Sequence, residues 1–408
     1  MRVLHVADRL SDRGGADLAL LGMLDALSDS HDLHLAVGRD DGMVPPPCPL
    51  HVVPGLDSRT RAGAELDPLL ARLRPDRVHV HNVVNPAALE WAADRDAVMT
   101  VQDHRFFCPG RGKWTSDGRV CGDAMDRSVC ADCFDDRSYF EKTLQLTAER
   151  LEPLKRMRLT VLSSYMQREL MQAGIPAERI TVVPPVTYGL DLEARADGPP
   201  CVLFVGRLVE AKGIRDAIDA WRRSDLDLPF VVAGTGPLRR EVEAESIEVL
   251  GWLDRRRLSA TYRRAAAVVM PSRWQEPFGL VGLEALTLGT PVAAWGSGGV
   301  QEWHPGGELL ASWGDIEGLA RALRLAPGHP VDPPGVRGRH LLTGRLEAVY
   351  EASVTTRNQW RLNAAAHLDL PASPAIPREA RRTGRAAESS PGTRRCSKNK
   401  RHRRAKGV

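Results

Sequence analysis

The sequence predicts an α/β chain built as two doubly wound, Rossmann-like units, and three observations carry that expectation. Short apolar runs alternate with helical patterns through residues 1–185, the alternation breaks over 185–200, and it restarts at Cys201. Strand–helix alternation of this kind implies mainly parallel sheets with helices on both faces. The length of 408 residues agrees, since ~100–200 residues per domain gives two or three domains. Two such units joined by one hinge face each other across a cleft. A ligand belongs in that cleft, at the carboxyl ends of both sheets.

In order along the first unit (1–185), Arg2–Asp8 reads as a buried strand, SDRGG as a turn and Ala16–Leu27 as an amphipathic helix. Strands are expected at Asp32–Gly38, Leu50–Val53, Asp76–His81, Ala97–His104, Leu159–Ser164 and Arg179–Pro184. Helical patterns fall at Ala64–Leu73, Ala87–Ala93 and Ser164–Ala173, and a cysteine-containing insertion occupies 105–137. The stretch PPVTYGLDLEARADGPP has prolines and glycine at its ends and no apolar period, which marks 186–199 as a linker. The second unit (200–352) repeats the alternation. Its strands are Cys201–Val205, Phe230–Ala233, Ile247–Leu250, Ala267–Pro271 and Pro291–Ala294. Its helices are Ile214–Arg223, Leu238–Glu245, Arg257–Arg264 and Val281–Leu288, with closing helices at Ile316–Leu325 and Thr343–Ala352. Residues 366–408 turn to Ala, Pro, Ser and Arg without periodicity, a composition expected to be disordered.

Composition narrows the class. Hydrophobic residues at 43% and charged residues at 26% exclude collagen-like, wholly disordered and coiled-coil chains. No run approaches the ~18 apolar residues of a membrane span, and MRVLHVADRL gains charge too soon for a signal peptide. A cytoplasmic chain is the expectation. The net charge of +4 is unevenly placed: residues 371–408 hold twelve Lys or Arg against Glu379 and Glu388, so the body is mildly acidic. Such a tail is most simply a solvated end; charge alone would also allow weak contact with anionic lipid at the inner face of a membrane. Without interleaved aromatics it gives no basis for specific nucleic-acid binding.

Three stretches carry chemistry. Arg13-Gly14-Gly15 follows the first strand and opens a helix, where glycines admit close backbone approach and the helix start offers free N–H groups. Gly206-Arg207 ends a strand of the second unit and Lys212-Gly213 starts the next helix, so two cations can together neutralise a diphosphate. Glu276 stands just before Pro277-Phe278-Gly279-Leu280, and Glu284 falls inside the helix that begins there. Carboxylates so placed can accept hydrogen bonds from sugar hydroxyls, with the helix start open to phosphate.

These residues together resemble the GT-B fold glycosyltransferases, specifically the retaining family four (glycosyl transferases group 1). The resemblance rests on Gly14-Gly15, Gly206-Arg207…Lys212-Gly213 and the two glutamates Glu276 and Glu284 around PFGLVGL, with Ala233-Gly234-Thr235-Gly236-Pro237, Gly251-Trp252 and Gly289-Thr290-Pro291-Val292. It covers about 1–352. It implies a nucleotide-sugar donor (UDP-, GDP- or other) held mainly by the second unit and a glycan or glycolipid acceptor set by the first. Arg207 and Lys212 would bind the diphosphate, and Glu276 the transferred sugar. The Phe278–Leu280 backbone would lie near its hydroxyls and phosphate, and Glu284 would bind the ribose. Gly14-Gly15 and Gly206 would border the phosphates. The resemblance further implies retention of anomeric configuration, no catalytic metal, and cell-surface polysaccharide or glycolipid biosynthesis as the common setting.

One departure concerns the histidine that relatives carry at the end of the strand placed at 97–104. Gln102 occupies that slot, and His104 stands two residues on, where an extended strand would turn it to the same side and into the cleft. The other reading is that His104 orders the loop. A phosphorylase or epimerase on the same scaffold, or a sugar-nucleotide-binding protein without activity, are the competing functions. The insertion holds Cys108, Cys121, Cys130 and Cys133, ending in a C-x-x-C pair. Four thiols so spaced can make a tetrahedral structural zinc site; reduced buried thiols or redox-sensitive pairs are the alternatives.

Overall fold

The computed structural model describes residues 1–42, 44–332 and 337–366, with side chains of the last helix described to Ala352. The unit Met1–Asn358 contains both sheets. The first sheet is made by β1 (Arg2–Leu10), β2 (Asp32–Asp40), β3 (Leu50–Val52), β4 (Arg77–His81), β5 (Val98–Val101), β6 (Arg158–Val161) and β7 (Ile180–Val182), in the order β3-β2-β1-β4-β5-β6-β7. Its pairings are parallel throughout. Around it lie α1 (Gly15–Leu27), α2 (Asp67–Leu73), α3 (Pro86–Ala93), α4 (Arg127–Ala131), α5 (Arg137–Leu154) and α6 (Ser164–Gln172).

The second sheet comprises β8 (Cys201–Val205), β9 (Phe230–Ala233), β10 (Glu248–Gly251), β11 (Ala265–Met270), β12 (Val292–Trp295) and β13 (Leu310–Ala311), in the order β10-β9-β8-β11-β12-β13 and again parallel. Its helices are α7 (Ile214–Ser224), α8 (Arg239–Ala244), α9 (Arg255–Arg264), α10 (Leu280–Thr287) and α11 (Ile316–Leu325). The expected pair of doubly wound units is present, and the strand order reverses beside β1 in one sheet and β8 in the other. Those switch points are where the Gly14-Gly15 and Gly206-Arg207 turns emerge.

The strands read as continuous apolar runs because both faces are covered. On one face of the first sheet Leu4, Val6, Val80, Met99 and Val161 pack under helices α2, α3, α5 and α6; on the other, Val3, Ala7 and Val37 pack under α1. The second face has an additional cover. Helix α12 (Arg337–Ala366) places Leu342, Leu346, Val349 and Tyr350 in this same cluster. The sequence assigns residues up to 352 to the second unit, but this apolar stripe lies on the first. Arg345 donates to the Val182 carbonyl at 2.6 Å and Arg77 to the Tyr350 carbonyl at 2.9 Å, so the chain crosses back after its second sheet.

Three further differences are instructive. Residues 138–158, for which the sequence reading gives no element, are mostly α5, an 18-residue helix capped by the Asp136 carboxylate. The expected strand 97–104 ends at Val101, because Asp103 accepts the Arg105 N–H and folds His104–Phe106 into a tight turn. Strand β13 is two residues long and carries no alternating signal. No described helix is long and apolar enough to cross a membrane. The basic tail lies outside the described residues except for Ala366.

Candidate active site at the start of helix α10

The site grows from the turn between β8 and α7. Lys212 ends a short turn, and the chain then enters α7 through Gly213 at φ +71°. A Cβ at Gly213 would lie 1.8 Å from the Pro271 carbonyl oxygen, so only glycine lets this turn sit against the end of β11. That close approach brings Lys212 to Glu276. Its ammonium donates to Glu276 Oε1 at 2.6 Å, and the Ser272 hydroxyl donates to the same oxygen at 2.5 Å. Lys212 also stands over the Trp274 ring, 4.5 Å from its centroid.

Glu276 is 5% exposed. Burial pushes its carboxyl up, but the Lys212 charge, with the Lys212 and Ser272 hydrogen bonds, outweighs burial and holds it below the ordinary range. The site therefore presents a carboxylate whose two side-chain donors converge on one oxygen. Arg207, exposed at the neighbouring strand end, makes no ion pair among the described residues and is available to an anion.

Directly after Glu276, Gly279 at φ +93° turns the chain into α10, which has no side-chain cap. The first amides of α10 are thus free at a positive helix end. Gly15 of the first unit faces this point, with its position nearest Leu280. The structure accordingly brings Gly14-Gly15, Lys212, Glu276 and the Gly279–Leu280 turn to one place. Phe278 contributes backbone rather than side chain: its ring is buried with Leu162 and Leu283, and its carbonyl accepts the Trp303 indole N–H.

Glu284 is arranged differently. Its Oε1 accepts from Arg255 at 2.6 Å and its Oε2 from the Tyr262 hydroxyl at 3.0 Å, and it is 3% exposed. Arg255 also donates to the Tyr188 carbonyl of the linker, at 2.7 Å, while its Nε is buried without a partner. Arg255, Tyr262 and Ser272 were not singled out by sequence reasoning. Arg255 opens α9 ahead of the helix start the sequence suggests, Ser272 lies just past the end of β11, and Tyr262 reads as an ordinary core residue of α9.

His104 reaches the site by the turn rather than by strand pleating. Its Nε2 is 2.9 Å from the Tyr165 hydroxyl, and its ring meets Trp274 edge-on at 5.7 Å. Its Nδ1 is buried without a partner, under Gly112 of the insertion. Burial, with Asp103 opposing, lowers its pKa to about 4, so the ring is neutral at neutral pH. Gln102 is 4% exposed and its Nε2 likewise has no partner.

The insertion touches the second unit here, since the Gln275 N–H donates to the Gly112 carbonyl at 3.0 Å. Its four cysteines are free, lie close enough to influence one another's ionisation, and Cys130 and Cys133 are raised chiefly by burial. No three of their sulfurs come within 4.8 Å of one another, whereas a tetrahedral zinc–thiolate set needs roughly 3.8 Å. The loop gathers the four expected ligands without converging them. Among the described residues, His5, His79 and His81 do meet that spacing. His79 is bonded to Tyr350 and Thr100, and His5 Nδ1 pairs with His81 Nε2, which leaves His5 Nε2 and His81 Nδ1 buried without a partner.

Comparison with known proteins places the fold. Residues 199–326 match the family described as Glycosyl transferases group 1. A glycogen synthase of Mycobacterium tuberculosis is 38% identical over 273 residues, covering 62% of this chain and 60% of that protein. A 2-deoxystreptamine glucosyltransferase of Streptomyces kanamyceticus is 34% identical over 143 residues, 31% of this chain and 36% of that one. The chain thus spans less than two thirds of the length of these relatives. Among solved structures, HepE of Anabaena in complex with UDP-glucose superposes with TM-score 0.59 at 16% identity, over 86% of this chain and 100% of that one. Sucrose-phosphate synthase from Thermosynechococcus elongatus gives TM-score 0.58 at 19% identity, over 90% and 100%. The fold is GT-B, and residues 199–326 form a glycosyl transferases group 1 domain within it.

Proposed function

We propose that the chain is a retaining glycosyltransferase that moves a sugar from a nucleotide donor to an acceptor hydroxyl of a glycan or glycolipid. The observation that carries this is the Lys212–Glu276–Ser272 cluster beside the uncapped start of α10, with Arg207 exposed just past the end of β8 and in no ion pair among the described residues. A diphosphate laid there meets two cations and free backbone amides, which are the groups that stabilise a departing phosphate. Those charges also support a reaction that proceeds without a divalent metal. Glu276 accepts from hydroxyls of the transferred sugar, which fixes its anomeric carbon against the cleft. The acceptor oxygen then bonds to that carbon on the face the diphosphate leaves. The carbon–phosphate-oxygen bond breaks, and the acceptor proton passes to the departing phosphate oxygen.

His104 receives a supporting part: neutral and tied to Tyr165, it packs on Trp274 and thereby on Lys212. Glu284 is proposed to meet the ribose, sharing its oxygens with Arg255 and Tyr262. The decisive experiment screens the full chain against UDP-, GDP-, ADP- and TDP-sugars by thermal shift and sugar release, with and without EDTA. Stabilisation by one nucleotide and EDTA-insensitive release, with product of retained configuration by NMR, is the expected result. Stabilisation without release, even with a broad acceptor mixture, would instead identify a sugar-nucleotide-binding protein.

A further inference from the structure

Helix α6 belongs to the first unit, yet its start is completed by the second. A helix begins with backbone N–H groups that lack intrahelical partners. Here Ser163 caps the Met166 N–H at 3.2 Å, while the Ser164 and Tyr165 N–H groups both donate to the Glu302 carboxylate, each at 2.8 Å. Glu302 lies beyond β12, in the short turn Gly298–Glu302. A charged acceptor at a positive helix end makes strong hydrogen bonds.

The same turn is fastened to the donor side. The Gly299 N–H donates to the Glu276 carbonyl at 2.7 Å, and the fully buried Ser163 hydroxyl donates to the Pro277 carbonyl at 2.5 Å. Gly299 is packed so closely between them that a Cβ there would lie 2.7 Å from the Pro277 oxygen and 3.0 Å from Ser163. From the other end of this contact, the Tyr165 hydroxyl holds His104. The start of α6 is therefore a junction: the Pro277 carbonyl and the Glu302 carboxylate meet it from one unit and the His104 turn from the other.

We infer that Glu302 is a positioning residue, which latches the start of α6 to the Glu276–Phe278 loop and so sets the two walls of the active site against each other. Glu302 is exposed, so water can replace its two backbone bonds when the cleft opens. That makes the latch reversible. Opening at this point withdraws His104 and Tyr165 from Trp274 and Glu276 while leaving Lys212, Arg207 and the start of α10 together in the second unit. Nucleotide binding and assembly of the complete site are thereby separable.

The test is residue-resolved amide hydrogen exchange on the full chain without ligand, comparing wild type with Glu302→Ala and Glu302→Gln. In the alanine variant the Ser164 and Tyr165 amides are expected to exchange at least tenfold faster, and the Gln275, Glu276 and Gly299 amides to accelerate with them. The glutamine variant, which keeps an acceptor oxygen and loses the charge, should fall between. Unchanged exchange at Ser164 and Tyr165 overturns the inference, as does acceleration confined to those two amides, which is the signature of a local cap. A kinetic arm rests on the transferase reading: kcat for transfer from UDP-glucose, or from whichever donor of the four-nucleotide panel is turned over, drops about tenfold in Glu302→Ala with its KM unchanged. Equal loss in binding and turnover counts against the latch. Absence of turnover in wild type refutes the transferase reading and leaves the exchange result to decide the latch.

Discussion

The two glutamates flanking the start of α10 are the same residue type, both buried, and both paired with a cation, yet their chemistry differs. Glu276 gathers Lys212 and Ser272 on one oxygen and faces an uncapped helix end. Glu284 commits one oxygen to Arg255 and the other to Tyr262, and Arg255 is itself anchored to the linker at Tyr188. The first pair is a site with capacity left for a ligand. The second is a strut that ties α9, α10 and the hinge together. Burial of a charged residue is therefore a poor guide to function until the use of each oxygen is known.

The largest effect should come from the open pair. Lys212→Ala and Glu276→Gln should each lower transfer by about 10²–10³-fold, the range for removing one preorganised charge partner at a reacting centre. Steady-state kinetics with the fold checked by circular dichroism decides this, and wild-type turnover in either variant removes that residue from the mechanism. The strut should respond in stability instead. Glu284→Ala strands the largely buried Arg255 and should cost about 3–5 kcal/mol in denaturant unfolding, as broken buried pairs do. If that variant keeps full stability and loses only nucleotide affinity, the contrast between the two glutamates is wrong.

Acid gives a smaller, graded difference. His104 is buried neutral with its pKa lowered to about 4, while an unfolded histidine takes a proton near 6.5. The unfolded state thus binds more protons between those values, and stability falls as pH drops from 6.5 towards 4. His104 alone should account for about 1.5 kcal/mol between pH 6.5 and 5, seen as a shallower pH dependence of unfolding in His104→Gln. Glu276, held below the ordinary range by Lys212 against the effect of burial, should keep its charge to a lower pH than an ordinary glutamate. The weakest expected coupling is at the mouth of the cleft, where Arg13 stands 5.9 Å from the centre of the Trp252 ring. A double-mutant cycle should give about 0.5–1 kcal/mol there.

Much of this was legible in the sequence because it depends on local spacing. Gly213, Lys212, Glu276 and Gly279 are each placed by turns at strand ends, and the apolar runs of β8, β9 and β12 announce a sheet covered on both faces. What was not legible depends on distant partners. The strand expected to carry His104 into the cleft is cut short by Asp103, whose side chain competes for the Arg105 amide. Arg255 acquires meaning only when the linker and α10 meet it. Helix α5 did leave a signal, in the spacing of Phe140, Leu144, Thr147, Leu151 and Leu154, but it sits on a largely polar segment. The four cysteines of the insertion lie close enough to influence one another's ionisation, as their spacing leads one to expect.

The return of α12 to the first sheet has a consequence for synthesis. Helix α12 supplies Leu342, Leu346 and Tyr350 to a cluster that contains Val3 and Leu20, and Tyr350 meets His79 at 2.7 Å. A ribosome releases those early strands hundreds of residues before the helix that covers them. The second sheet has no such debt, since its cluster around Val202 and Val232 is completed by α11. The half made first is thus the half finished last. A fragment stopped after the linker would leave the part of that face not under α1 uncovered, a ready target for chaperones and aggregation.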